Sequence, residues 1–396
     1  MNTAKPNTLT LLLLTAFASV AAVLYTPALP AITHFFAITT GQAQTTLSSF
    51  LLAYAIAPIF YGPLAQRYGR KPTLFLGIII GLIGMGVCIA SYCTGDFSLL
   101  IIGRFIEGFG TGAGLVIALT MVQDTYTGPQ ARKVMSLATL SFAFLPGLAI
   151  YIAGLLLKHF SWVSNFYFMM AYTFFILACA LMLPETRPVG KIEPLRLRKI
   201  AQDYLQMLSD KILIRYTVMW SLTTAFMYLF AAYTPFIVIN HLGYSPETYG
   251  AINALAYLSL LVGNLISVKT SSTLTGLHSI LLGIIITSIG SVSFALSYAF
   301  NILDIYSLYG SVMVAFIGMP IILSNASALA GAHIAPEHKA VASATTSMIN
   351  MGLAVAIMLA LGCWHANPGL VLSVSFVGLM VLEIIIYNLT KAKPHA

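Results

Sequence analysis

Twelve long apolar runs dominate this 396-residue chain, and they leave it few ways to fold. A helix needs roughly 20 apolar residues to cross a bilayer. Runs of about that length cover residues 9–29, 45–64, 73–93, 98–122, 134–157, 163–183, 212–239, 248–268, 277–299, 304–330, 340–364 and 368–389. Only 8% of the residues are Asp, Glu, Lys or Arg, and 59% are hydrophobic. A water-soluble globule of this length needs far more charged surface, so the chain is read as an all-α membrane protein. The basic residues test the number of spans. With both termini inside, inner segments hold seventeen of the nineteen Lys and Arg, Lys158 stands in an outer loop and Arg104 lies within span 4. A wrong count would scramble this alternation, so twelve spans with cytoplasmic termini in a bacterial-type inner membrane are expected. The net charge of +8 is then a topology signal and not a nucleic-acid footprint.

The N-terminal MNTAKPNTLTLLLL begins like a signal peptide, but its apolar run continues to Leu29 without a small-residue cleavage site. It is read as an uncleaved first span. Cys88, Cys93, Cys179 and Cys363 all fall in apolar stretches and lack metal-ligand spacing, so they are read as small core residues. No H-E-x-x-H, G-x-S-x-G or P-loop occurs, and the expectation is a protein that is not an enzyme, with no cofactor and no metal.

The longest loop, Pro184–Lys211, divides the chain into two sets of six spans, 1–183 and 212–396. Within it Leu197, Ile200, Ala201, Tyr204, Leu205 and Leu208 recur at helical spacing, with Arg196, Arg198, Lys199, Gln202 and Asp203 on the other side. That pattern predicts either a helix lying on the inner membrane surface or a solvated linker. Two sets of six spans suggest a repeat with the substrate site between the halves.

The segment Gly62–Leu74, GPLAQRYGRKPTL, lies between spans 2 and 3. Gly62 and Gly69 would let two helices turn back within a few residues. Arg67, Arg70 and Lys71 form a charge cluster that pins this end of both helices to the cytoplasm. The segment resembles the G-x-L-a-D-R-x-G-R-[KR] signature of the major facilitator superfamily, with Gln66 at the acidic position. Further stretches are similar to the drug:proton antiporter branch of that superfamily, and within it to the Bcr/CflA-type efflux group. They are LYTPALPAI (Leu24–Ile32), GRFIEGFGTGAG (Gly103–Gly114), TPFIVINHLGYSPETYG (Thr234–Gly250), SNASALA (Ser324–Ala330) and ASATTSMIN (Ala342–Asn350). Pro146, Ala153 and Gly154 are similar to part of the span 5 antiporter motif P-x-x-x-P-x-x-G-G, with Ile150 and Ala153 replacing its second proline and first glycine. The order and spacing of these stretches cover the whole chain. The resemblance implies twelve transmembrane helices in two pseudo-symmetric six-helix halves. It also implies a monomeric secondary transporter that exports small organic molecules by proton antiport.

Some residues depart from the branch. Its members usually carry an aspartate two residues before the span 1 tyrosine; here that residue is Val23. With Gln66 in the loop, both familiar acids are missing. Ionisable groups in hydrocarbon are costly and mark function by default, and the spans hold few: Arg104, Glu107 and Glu383. At 1.5 Å per residue, Arg104 lies roughly 9 Å and Glu107 roughly 13 Å into span 4. The branch usually has Gln at the position of Glu107. Glu107 is therefore read as a relocated proton site beside Arg104, or as half of a static ion pair. Glu383, near the inner end of a span that the resemblance makes peripheral, is expected to reach the interface.

Tyr25, Tyr54, Tyr151, Asn253, Tyr257, Asn325 and Asn350 are the polar groups expected to line a cavity for an amphipathic, neutral or cationic solute. Each is also a candidate for a plain helix–helix hydrogen bond. Glycines 81, 84 and 86 in span 3 and 108, 110, 112 and 114 in span 4 permit close helix approach. Two other readings stay open. One is an exporter dedicated to a single endogenous metabolite or siderophore. The other, prompted by Val23, Gln66 and Ile150, is a transporter-derived receptor or scaffold without proton coupling.

Overall fold

The computed structural model describes residues 5–126, 128–187, 197–271, 273–335, 339–364 and 366–391. Lys191, Arg196 and Lys393 lie outside these residues, as do the side chains of Arg132, Lys133, Leu197, Arg198, Lys199, Ile200, Ala201, Asp203 and Lys339. The chain forms two compact units, Met1–Arg196 and Leu197–Ala396.

In the first unit the helices are α1 (Thr8–Val23), α2 (Leu29–Phe36), α3 (Thr40–Tyr68), α4 (Arg70–Thr94), α5 (Phe97–Thr125), α6 (Gly128–His159) and α7 (Ser164–Leu181). In the second they are α8 (Leu197–Ser209), α9 (Lys211–Pro235), α10 (Pro246–Thr270), α11 (Gly276–Ala299), α12 (Ile305–Gly331), α13 (Lys339–Gly362) and α14 (Pro368–Lys391). A π-helical stretch, Phe236–His241, extends α9. Eleven segments of the described residues are long and apolar enough to span a membrane. The predicted span 134–157 falls within α6, where the described side chains leave Phe144–His159 as a shorter apolar stretch.

Two local expectations fail. Span 1 does not close at residue 29, where its first apolar run ends. Pro27 and Pro30 instead take early positions in a one-turn 3-10 helix (Thr26–Ala28) and in α2, where a missing N–H costs nothing, and the apolar segment runs on to Phe36. Gly62 makes no turn, because α3 continues through it to Tyr68. The reversal falls on Gly69 alone, whose φ of 107° is open to glycine and strained for other residues.

The first unit is built around α5, which packs on α1, α3, α4 and α6. Small residues allow this. A Cβ on Gly84 of α4 would run into the Glu107 amide of α5, and one on Gly108 of α5 would run into the Phe50 carbonyl of α3. Backbones in van der Waals contact replace the apolar side-chain burial that drives packing in water. In the second unit α12 packs against α9, α10 and α11, and α14 packs against α9 and α11.

The linker helix forms as α8, and the side chains of Leu197, Ile200 and Ala201 in the apolar stripe lie outside the described residues. Leu205 and Leu208 are exposed, whereas Met207 is buried against Leu213, Ile334 and Ala342.

Gly84 and Gly86 separate packing from helix propensity. Gly84→Ala meets backbone atoms that cannot yield, and it should cost about 1–3 kcal/mol. Gly86 has nothing within 4 Å of its would-be Cβ, so Gly86→Ala should be neutral or stabilise by up to about 1 kcal/mol. Thermal unfolding of both variants in lipid checks this, and equal losses would refute the packing account.

Candidate functional site

Two polar constellations stand out in the first unit, one inside the bundle and one at the end where α3 meets α4. The inner one is carried by α5. Arg104 and Glu107 are each 1% exposed, and one helical turn places Arg104 Nη1 2.8 Å from Glu107 Oε2. The same nitrogen donates to the Ala21 carbonyl of α1 at 3.1 Å. The guanidinium is stacked between two rings, with its carbon 4.1 Å from the Tyr25 centroid and 4.2 Å from that of Phe50. Arg104 Nε and Nη2 are buried without hydrogen-bond partners. A guanidinium is weakly hydrated and planar, so aromatic faces partly replace the water it has lost. Tyr25 is fixed in turn by a 2.9 Å hydrogen bond to Thr46 Oγ1. One arginine thus joins α1, α3 and α5.

The outer constellation centres on Glu185, just beyond α7. Its carboxylate accepts from the backbone N–H groups of Arg70 (2.9 Å) and Lys71 (3.0 Å), the first two residues of α4, and from that of Arg187 (2.9 Å). An acid at a helix N-terminus is favoured by the free N–H groups and the helix dipole. Burial alone would raise the Glu185 carboxyl, but these N–H bonds outweigh it and hold it below the usual range. Arg70 reaches past the joint to pair with Asp124 at the end of α5 at 2.8 Å, and donates to the Ala65 carbonyl at 2.9 Å. Thr186 also bonds Asp124 at 3.0 Å, and Arg187 donates to the Arg67 carbonyl at 2.6 Å. A Cβ at Gly69 would lie 2.7 Å from Glu185 Oε2, so glycine is needed for space as well as for φ. Gln66 and Arg67 are exposed and Lys71 bonds the Leu181 carbonyl at 2.7 Å. Sequence reasoning passed over Asp124 and over the capping role of Glu185. The available signal was two acids, among only eleven, at the ends of spans 4 and 6.

The other expected site residues are dispersed. Tyr54 is 8% exposed and Tyr151 is 37% exposed. In the second unit Asn253 Oδ1 accepts from Tyr309 at 3.5 Å and its Nδ2 has no partner. Tyr257 meets Phe316 edge-on, and Asn325 Nδ2 donates to the Ile321 carbonyl at 2.9 Å. Asn350 is buried, with Oδ1 unpartnered. Pro146, Ala153 and Gly154 are buried in α6. Glu383 departs from expectation. It is fully buried, not at the interface, and bonds Thr223 of α9. Its distance from the helix end would let it snorkel, but its side chain points towards α9 and not towards the end of the helix.

This architecture and these motifs define a membrane transport protein, as the comparisons bear out. The sequence profile of the Major Facilitator Superfamily matches residues 11–360, and the chain belongs to that family. It is 30% identical over 230 residues to a bicyclomycin resistance protein homolog of Haemophilus influenzae, covering 57% of this chain and 56% of that one. It is 32% identical over 182 residues to multidrug resistance protein D of Escherichia coli, covering 46% and 45% respectively. The chain therefore aligns with about half the length of these two relatives. Their names agree with the drug:proton antiporter, Bcr/CflA-type branch that the motifs resemble. Solved structures share the fold at low identity. They include a D-xylose-proton symporter (TM-score 0.74, 16% identity, 98% of this chain and 99% of that one). Another is the nucleoside transporter NupG (TM-score 0.76, 14% identity, 97% and 98%).

Two outcomes follow from the site. Arg104→Ala leaves a buried, unpaired Glu107 and should cost about 3–5 kcal/mol, while removing both partners costs less; chemical unfolding of the two single variants and the double variant tests this, and additive losses would count against coupling. Glu185 is held below its ordinary range, so its stabilisation is complete above about pH 4.3 and is lost as pH falls through the lower folded value. Glu185→Gln should therefore lose about 1 kcal/mol at neutral pH and flatten the acid limb of the stability curve. An unchanged limb would show that the cap is not the titrating contact.

Proposed function

We propose that the protein is a secondary active transporter that exports small organic molecules, drug-like compounds or metabolites, in exchange for protons. The observation that carries this reading is the ion pair of Arg104 and Glu107, shielded from solvent inside a membrane helix bundle. An acid in that setting is expensive to keep, so it marks a coupling site by default. Glu107 would take up a proton when Arg104 turns away from it, and give the proton up when the pair re-forms. Arg104 also holds Ala21 and the Tyr25 ring, so breaking the pair would loosen α1 from α5. That supplies a physical link between protonation and movement.

In this reading segments 1–183 and 212–396 act as the two halves of an alternating-access machine, joined by 184–211, with both termini cytoplasmic. The cluster of Gly69, Arg70, Asp124 and Glu185 would be the latch at the cytoplasmic end, with Gly62, Gln66, Arg67 and Lys71 around it. Tyr54, Tyr151, Asn253, Tyr257, Asn325 and Asn350 would contribute to substrate binding, and Pro146, Ala153 and Gly154 to the bending of α6. The relatives named for bicyclomycin and multidrug resistance support export of drug-like solutes. Val23 and Gln66, which replace the usual acids, favour a second reading, a receptor or scaffold that has lost coupling.

Proton flux in inside-out vesicles with an acid interior separates the two. A panel of lipophilic cations, antibiotics and metabolites is added to wild type and to Glu107→Gln. Transport predicts that some compounds dissipate the gradient in wild type and that flux falls to background in the variant. Full proton-coupled activity in Glu107→Gln would remove Glu107 from the mechanism. A folded wild type that never dissipates the gradient would favour the receptor. A single active compound would indicate a dedicated exporter.

A further inference from the structure

The second unit holds its own buried acid, Glu383, which has no cation to neutralise it among the described residues. Glu383 is 0% exposed. Its Oε1 lies 2.7 Å from Thr223 Oγ1, and its Oε2 is buried without a partner. No described cation forms an ion pair with it. Lys211 and Arg215 on α9, His278 on α11 and Lys391 on α14 all lie at least two turns from its level, and His241 of the π-helical stretch is exposed. Among the tyrosines, Tyr387 and Tyr216 share an apolar cluster at one to two turns, Tyr228 interacts with Tyr257 of α10, and Tyr233 and Tyr298 lie almost three turns away.

The hydroxyl of Thr223 has one proton and two candidate acceptors, Glu383 Oε1 and the Met219 carbonyl at 3.1 Å. If Thr223 donates to Met219, the 2.7 Å contact needs a proton on Glu383. If Thr223 donates to Glu383, the carboxylate can be ionised, but it then has one hydrogen bond in total. An ionised carboxylate in that state is costly. The arrangement seen here therefore favours the first case, a chain of donors from Glu383 to Thr223 to the Met219 carbonyl.

A second donor stands ready for the ionised form. Phe294 of α11 packs on Phe376 of α14, and Ile284 shares a cluster with Tyr387, so the two helices run antiparallel. One turn from Ile284 is Ser288, and one turn back from Tyr387 is Glu383, which puts the two at one level. The Ser288 hydroxyl is also buried without a partner.

We propose that Glu383 is a proton-binding site built by α9, α11 and α14, separate from Glu107. In this conformation it is a neutral acid that clasps α14 to α9. When the proton leaves to water, Thr223 turns its hydroxyl to Oε1 and a small shift of α11 brings Ser288 to Oε2, so α14 exchanges a hold on α9 alone for one shared with α11.

Infrared spectroscopy of the full chain in liposomes reads this directly, without any transport substrate. Wild type should show the carbonyl stretch of a protonated carboxylic acid that shifts in D2O, disappears at alkaline pH, and is missing from Glu383→Gln. Thr223→Val, which keeps the acid, should move the band to the position of an acid without a hydrogen bond. Ser288→Ala should move its titration to more alkaline pH. An identical signal in wild type and Glu383→Gln, or a band that neither exchanges nor titrates, overturns the proposal. If Glu383→Gln does not fold, an unmoved band in Thr223→Val does the same. Because the readout needs no transport, a failure of proton antiport through Glu107 leaves it unaffected.

Discussion

A guanidinium inside a membrane bundle has to be satisfied by its neighbours, and that requirement organises the first unit. Arg104 has lost its water, so it needs an anion, a carbonyl and polarisable faces. It finds them in Glu107, in Ala21 and in the rings of Tyr25 and Phe50. Each partner sits on a different helix or a different turn. The helices can come that near because Gly108, against Phe50 of α3, and Gly114, against Leu14 of α1, carry no side chain. The glycines and the ion pair thus form one device, in which close backbones make a compact, dry pocket and the pocket makes the charge pair selective about geometry.

Electrostatics at the helix ends follow another rule. There the charges run from an exposed Glu185 to an Arg70–Asp124 pair whose side chains are only 9% and 12% exposed, and they cap and position helix ends. Glu185 caps α4, Arg70 pairs with Asp124 across the same joint, and in the second unit Asp210 caps α9 while meeting His333 at 2.6 Å. Burial would raise the Asp210 carboxyl, but the N–H groups of Leu213 and Ile212 and the His333 ring outweigh it and keep it low. Both units therefore anchor the beginning of one long helix to the end of another through an acid. Contacts of this kind depend on a few hydrogen bonds at one joint, which the proposed latch requires.

The spans could be read from the sequence because a bilayer enforces about twenty apolar residues per crossing. The Arg104–Glu107 contact was legible for a similar reason, since residues three apart on a helix are neighbours whatever the rest of the fold does. Long-range partners left no such trace. Nothing in the spacing links Glu185 to residue 70, or Glu383 to Thr223. Gly62 misled because one glycine inside a helix costs only about 1 kcal/mol, too little to break α3. Met207 of α8, outside the counted stripe, docks on Leu213, Ile334 and Ala342, a set of partners that no spacing along the chain announces.

By itself, the sequence determined the span number, the helical class, the family signature and the place of the charged residues along each helix. These follow from local periodicity and from the cost of putting charge in hydrocarbon, which apply before any tertiary contact forms. The tertiary structure alone decided which way each buried polar group points and what meets it. That choice made Arg104 a three-helix tie, Gly69 the turning point and Glu383 an interior acid. The reason is geometric: a side chain's surroundings depend on the rotation and depth of neighbouring helices, which backbone packing sets and linear spacing does not encode.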